Sequence, residues 1–258
     1  MSLKVFITGA SSGLGAELAR CYAAVDTTLA LTARRREDLE SVAAGLPGTT
    51  VVYPVDVTDP AALAEAAADF VARFGAPDVV IANAGISAGT LTEEPGDVAA
   101  FEKIFRVNVV GMFASFAPFV AAMRARGSGT FVGIASVAGI RGMPGSGGYC
   151  GSKSAAITYL EALRGEMRPY GIRVVTILPG YIRTPLTARN PYQMPFLLDA
   201  DDAARRIRRA IESGSSYRVV PWQMGVVAKL LKVLPNGLFD RLFAGKARKP
   251  RAADGQPM

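Results

Sequence analysis

Histidine does not occur anywhere in the 258 residues. Its absence excludes every Ser-His-Asp and Cys-His nucleophile and removes the side chain that most often acts as a base near neutral pH. Acid–base work must fall to Asp, Glu, Lys, Tyr or Cys. Cysteine occurs only at Cys21 and Cys150, too few for a disulfide framework and without the spacing or the histidine partners of a zinc site. No metal site is expected, and a reducing, cytoplasmic setting fits. No uninterrupted apolar run reaches the roughly eighteen residues of a membrane span. The N-terminal run Leu3 to Thr8 meets Gly9 too soon to be the core of a secretory signal. What is present is a chain 50% apolar and 20% charged, which excludes a disordered, collagen-like or coiled-coil protein.

The formal net charge of +7 is unevenly distributed. Residues 203–258 carry twelve Lys or Arg against three acids, whereas residues 1–202 carry seventeen against nineteen. That distribution argues against a basic nucleic-acid face on the main body and sets the C-terminal segment apart.

Short apolar runs alternate with helical patterns along most of the chain. Leu3 to Thr8, Thr28 to Ala33, Thr50 to Val55, Asp78 to Asn83, Thr130 to Ser136, Arg173 to Leu178 and Tyr217 to Val220 read as strands. The stretches between them are long enough for crossover helices. Strands rich in Val, Ile and Leu without polar alternation belong to a parallel sheet covered on both faces. The predicted fold is α/β, a single doubly wound Rossmann-like domain over residues 1–245 with a C-terminal extension at 221–245. The polar stretch 246–258 is predicted to be disordered.

The first strand leads into Gly9-Ala10-Ser11-Ser12-Gly13-Leu14-Gly15 and then into a helix. This order aims backbone N–H groups and a helix N-terminus at one point, where a pyrophosphate can sit. The spacing G-x-x-x-G-x-G also suits a plain strand-to-helix turn. After the second strand comes Arg34-Arg35-Arg36, with no carboxylate before Glu37. Guanidinium forks there suit an adenosine 2′-phosphate and favour NADP(H) over NAD(H). The same arginines also fit the solvated start of a helix.

Tyr149 and Lys153 lie one turn apart on a predicted helix. A neighbouring ammonium stabilises phenolate and should lower the tyrosine pKa from about 10, which would give a histidine-free chain a usable acid or base. Ser136 closes a predicted strand at the end that lines the ligand crevice of such sheets, where its hydroxyl can donate to a carbonyl oxygen. Asn108 falls on the apolar stripe of Phe101, Ile104, Phe105, Met112, Phe116 and Phe119. A buried amide there must find partners, in the helix itself or in the site.

Together these residues resemble the short-chain dehydrogenase/reductases. Thr8 to Gly15 is similar to the T-G-x-x-x-G-x-G loop of that family, and Asn83-Ala84-Gly85 to its N-A-G motif. Asn108, Ser136, Tyr149 and Lys153 match its catalytic tetrad, and Pro179 to Thr184 its P-G-x-x-x-T segment. The resemblance spans about residues 3–220. It implies reversible hydride transfer between a nicotinamide and a carbonyl or alcohol, with Tyr149 exchanging the proton and Ser136 orienting the substrate oxygen. It further implies that Lys153 holds the nicotinamide ribose and lowers the Tyr149 pKa, and that Asn108 holds a relay water. Gly9, Ser11, Ser12, Gly13, Leu14 and Gly15 would bind the cofactor phosphates, with Arg34 and Arg35 on the 2′-phosphate. Asp56 and Val57 would meet the adenine, Asn83, Ala84 and Gly85 would line the cleft, and Ile182 and Thr184 would fix the carboxamide. A dimer or tetramer is also implied.

The phosphate loop holds no basic residue, so selection for a 2′-phosphate rests on Arg34, assisted by Arg35. Between Pro185 and Asp199, the residues Pro191, Tyr192, Met194, Pro195, Phe196, Leu197 and Leu198 suggest an apolar lid and an apolar or amphipathic substrate. Trp222 to Phe243 reads as two amphipathic helices broken at Pro235-Asn236-Gly237 and studded with Lys229, Lys232 and Arg241. A subunit interface or active-site cover, peripheral membrane contact through 222–243, and an acidic protein partner all suit it. The leading expectation is an NADPH-dependent carbonyl reductase. A 3-oxoacyl-thioester reductase with the same tetrad and a non-catalytic NADP-binding regulator are the alternatives.

Overall fold

The computed structural model describes residues 2–188 and 190–251. Seven strands form one parallel sheet: β1 (Leu3–Thr8), β2 (Thr27–Ala33), β3 (Thr49–Pro54), β4 (Val79–Ala82), β5 (Gly129–Ile134), β6 (Ile172–Pro179) and, last in the chain, β9 (Tyr217–Val220). Their order is β3-β2-β1-β4-β5-β6-β9. These are the seven runs read from the sequence. Two further strands, β7 (Ile182–Arg183) and β8 (Leu198–Asp199), pair only with each other and are too short to leave a periodic signal.

Successive strand residues point to opposite faces, and both faces are buried. From β1, Val5 and Ile7 point to one layer and Phe6 to the other. The first layer contains α1 (Gly13–Tyr22), α2 (Arg36–Ala43) and α8 (Ala200–Glu212), whose Leu18, Leu39 and Ile207 pack on Leu29, Ile81 and Ile177. The second contains α3 (Pro60–Phe74), α4 (Val98–Phe105), α5 (Gly111–Phe116), α6 (Val120–Arg126) and α7 (Gly147–Met167). There Phe70, Phe116, Phe119 and Leu160 pack on Phe6, Val80 and Phe131. Because sequential strands proceed outward from β1 in both directions, the chain reverses between β1 and β4, and the crevice opens at the C-terminal ends of those strands.

Pro95 to Arg126 runs as one helical segment with a turn of π-helix at Arg106–Val110. By length and composition it is apolar enough to cross a membrane, with a mean hydropathy of 1.6 in its best window. Sequence inspection for an unbroken apolar run misses it because Glu102, Lys103 and Arg106 interrupt it. Here Ile104, Met112, Phe116 and Met123 bury its inner face.

The C-terminal extension consists of α9 (Trp222–Val233) and α10 (Asn236–Phe243), divided as the Pro-Asn-Gly break predicts. Met224 packs beneath Gly180, and Arg141 fastens the junction of the two helices. Its guanidinium donates to the carbonyls of Leu231 and Leu234 and to Asn236 Oδ1, and it lies 4.0 Å from the centroid of the Phe239 ring. Trp222 and Val233 remain 67% and 77% exposed on the outer side.

Polar composition predicts disorder from Lys246 onward, but the chain is docked as far as Arg251. Arg251 finds two carboxylates, Glu94 and Asp97, on the body of the protein, which offsets the ordering of a short segment. Residues 252–258 of the predicted tail lie outside the described residues.

Candidate active site

A cleft of about 590 Å³ opens at the C-terminal ends of the strands. Its walls include every residue that the sequence assigned to cofactor or catalysis except Asn108, which is fully buried behind them. Close backbone approach shapes its floor. A Cβ on Gly15 would lie 2.1 Å from the carbonyl oxygen of Gly9, and one on Gly9, where φ is +68°, would lie 2.7 Å from Cα of Ala84. Asn83 ties the two loops together by donating from Nδ2 to the carbonyls of Thr8 and Gly9 at 3.1 and 3.0 Å. Thr8 Oγ1 in turn accepts from the backbone N–H groups of Asn83 and Ala84.

Ser12 precedes α1 without capping it, and the first turn contains no acid. The N–H groups of that turn therefore face the cleft together with the positive end of the helix dipole. This donor set and the glycine cradle fit a dinucleotide pyrophosphate. Beyond the second strand Arg35 pairs with Asp38 and Arg36 with Glu40. Arg34, exposed at the cleft wall, has no carboxylate partner among the described residues. Also on the cleft wall, Asp56 accepts from the backbone N–H and the hydroxyl of Thr58, which fixes its turn.

Ser136, Tyr149 and Lys153 meet at the other end. Ser136 follows β5, and its hydroxyl accepts from the backbone N–H of Ala138 and donates to the carbonyl of Pro179. Tyr149 lies in the first turn of α7, and a hydrogen bond with Ser136 favours its phenolate. Burial outweighs that bond and pushes the phenol up to about 12, against the lowering predicted from the Lys153 spacing. The reason is geometric. Lys153 Nζ donates to the carbonyl of Ile134 at 2.9 Å and stands 5.9 Å from the Tyr149 ring centroid. Burial pulls the Lys153 ammonium down to about 8.

Asn108 occupies the π-helical turn, and its side chain is bound on every side by protein. Oδ1 accepts from the backbone N–H of Ile86, while Nδ2 donates to the Ile86 carbonyl and to Ser152 Oγ. Ser152 Oγ donates in turn to the carbonyl of Tyr149. The amide thus fixes the strand-end loop at Gly85 and Ile86 and the first turn of α7 against each other.

The short chain dehydrogenase family matches residues 4–194. The chain belongs to that family. An uncharacterized oxidoreductase of Myxococcus xanthus is 37% identical, the match covering 91% of this chain and 93% of that protein. A short-chain dehydrogenase from Streptomyces avermitilis has a similar structure, with a TM-score of 0.79 at 29% identity over 93% of this chain and 94% of that one. An alcohol dehydrogenase from Thermococcus sibiricus, solved in complex with 5-hydroxy-NADP, has a TM-score of 0.74 at 27% identity over 84% and 95%.

For this short-chain dehydrogenase, sequence reasoning passes over three residues, Tyr181, Ser87 and Lys249. The Tyr181 ring lies 6.3 Å from that of Tyr192, a residue of the predicted apolar lid. Lys249 Nζ lies 5.0 Å from the centroid of the Tyr149 ring and donates to Ser87 Oγ. Ser87 sits just past the N-A-G motif and Tyr181 inside the P-G-x-x-x-T segment, so position alone could have flagged both. Lys249 left no signal, because its stretch of sequence reads only as polar.

Proposed function

We propose that the protein is an NADP(H)-dependent oxidoreductase that interconverts a carbonyl and an alcohol on an apolar or amphipathic small molecule. The observation carrying this reading is the meeting of Ser136, Tyr149 and Lys153 at the end of a cleft whose opposite end is built for phosphate. A phenol with its pKa near 12 keeps its proton at neutral pH, the form that can protonate a carbonyl oxygen. Ser136 donates to that oxygen from beside the phenol, and Lys153 holds the ribose hydroxyls of the dinucleotide. Asn108 acts through Ile86 and Ser152 as a positioning residue. The bound nicotinamide supplies the hydride chemistry.

The preference for NADP(H) is supported by Arg34, whose guanidinium is not engaged by a carboxylate, and by the likeness to a structure carrying an NADP analogue. Melting the protein alone, with NADPH and with NADH tests it. Saturation at about 100 times the dissociation constant adds ~2.7 kcal/mol, which is several degrees for a chain of this length. A shift with NADPH alone supports the reading; a shift with neither removes the enzyme assignment.

The reading extends to assembly and place. Phe101, Val110 and Phe113 leave an exposed apolar face on the helices around Asn108 that suits a second copy of the chain. Free thiols at Cys21 and Cys150 suit a reducing cytoplasm. Trp222, Leu230, Val233 and Leu242, exposed beside Lys229, Lys232 and Arg241, suit peripheral contact with an anionic membrane. Sedimentation with anionic vesicles tests that last point, and full-length protein left in the supernatant removes it.

A further inference from the structure

Beyond α10 the chain turns back toward Tyr149 and the loop at Gly89. Arg251 pairs with Glu94 and Asp97, and the backbone N–H of Gly89 donates to the carbonyl of Pro250 at 2.8 Å. A Cβ on Gly89 would lie 2.2 Å from the carbonyl oxygen of Lys249, and one on Gly145 would lie 3.0 Å from Cδ of Arg248. The segment Arg248–Arg251 is thus threaded between the loop after β4 and the loop after β5. Lys249, in the middle of this segment, stands over the ring of Tyr149, which forms part of the cleft wall.

Lys249 is carried to this place by the anchor at Arg251. Its ammonium donates to Ser87 Oγ and stands over the face of the Tyr149 ring. The carboxylates beside the segment, Glu94 and Asp97, are both engaged by Arg251, and among the described residues none pairs with Lys249. Burial pulls its pKa down to about 8, as expected for a cation taken from water without a counter-charge. It still carries its proton at neutral pH. An anionic group beside it would offset that desolvation and would gain a charge-assisted hydrogen bond.

We propose that Lys249 is a substrate-recognition residue whose ammonium binds a carboxylate lying a few bonds from the reacting carbonyl, with Arg248–Arg251 as the wall of the substrate site. The proposal rests on the oxidoreductase reading and narrows its substrate class to oxo acids and the corresponding hydroxy acids with an apolar body. The pyrophosphate cradle at Gly9–Gly15 lies at the opposite end of the cleft, so the two anion sites serve different molecules.

The test is calorimetric titration of the full chain, with and without NADP+, using straight-chain carboxylates from butanoate to dodecanoate and the matching neutral amides. At the best chain length the carboxylate should bind about tenfold or more tightly than its amide. Lys249→Gln should reduce the carboxylate to the affinity of the amide, and Lys246→Gln, an exposed cation of the same tail, should keep the difference. A melting temperature matching that of the unsubstituted protein shows that Lys249→Gln is folded. Equal affinity for acid and amide at every length, or a preference that survives Lys249→Gln, overturns the proposal. So does tighter binding of both ligands after removal of residues 246–258, which would make the segment a plug. Binding is read without turnover, so a protein that binds carboxylates through Lys249 yet reduces no carbonyl would overturn the enzyme reading alone.

Discussion

The ammonium of Lys153 donates to the carbonyl of Ile134 and stands 5.9 Å from the centre of the Tyr149 ring, so the phenol and the amine are each shaped more by burial than by each other. Stability should therefore depend on pH in two opposed steps. In the folded protein Lys153 titrates near 8, below the 10.5 of a free lysine, so between those values the unfolded chain binds more protons and stability rises with pH. Tyr149 titrates near 12 when folded, above the ordinary 10, so beyond pH 10 the folded chain binds more protons and stability falls. Scanning calorimetry without cofactor should show a rise in melting temperature above pH 8 that Lys153→Met diminishes. A steady fall from pH 8 with the same slope in both proteins would contradict this account.

Tyr149→Phe removes the proton donor and leaves the glycine loop untouched. Turnover of any accepted carbonyl substrate should fall by roughly 10²- to 10⁴-fold, the usual scale of general acid catalysis. NADPH affinity, read by fluorescence titration, should stay near the unsubstituted value. Undiminished turnover would remove Tyr149 from its proposed role.

Arg34→Ala should separate the two nicotinamide dinucleotides. A charge-assisted hydrogen bond contributes about 1.5 to 3 kcal/mol, so NADPH should bind on the order of 10- to 100-fold more weakly while NADH is little affected. Parallel titrations measure both, and an equal loss for the two cofactors would place Arg34 away from the 2′-phosphate.

Gly15→Ala sets a methyl group 2.1 Å from the Gly9 carbonyl oxygen and 2.5 Å from Asn83 Nδ2. The loop has to move, which at the usual scale of overpacking costs about 1 to 3 kcal/mol, and the phosphate cradle moves with it. Urea unfolding should show the loss of stability and dinucleotide titration a loss of affinity. A variant as stable and as tightly binding as the parent would mean that the loop yields easily.

Asn108→Leu removes the partners of the half-buried backbone N–H and carbonyl of Ile86 and the amide that donates to Ser152 Oγ. Buried groups left without partners cost about 1 to 3 kcal/mol each, so urea unfolding should place the variant on the order of 3 kcal/mol below the parent. Turnover should fall further than cofactor affinity, because Tyr149 is held through Ser152.

Most of the cleft was legible because its residues sit at strand ends, where the chain must turn and where glycine, asparagine or serine interrupts an apolar run. Gly9, Asn83 and Ser136 each follow a strand found from hydropathy alone. The Tyr149–Lys153 spacing was legible as a shared helix face, but not the direction of the amine, which depends on a carbonyl on another strand. Lys249 was not legible at all. Its place depends on Arg251 meeting Glu94 and Asp97, residues more than 150 positions away in a loop of no particular pattern.

The Arg141 clasp sets a rule for anyone recombining this enzyme with its relatives. Val220 looks like a natural crossover point, with the sheet ending there and the C-terminal helices beginning two residues later. The guanidinium that closes the end of α9 and stacks on Phe239 belongs, however, to the loop between Ser136 and Tyr149. A chimera joined at that point inherits the helices from one parent and their clasp from the other. Exchanging position 141 together with residues 221–243 keeps the pair matched, and the loop that holds Arg141 then carries the lock for whichever extension is grafted.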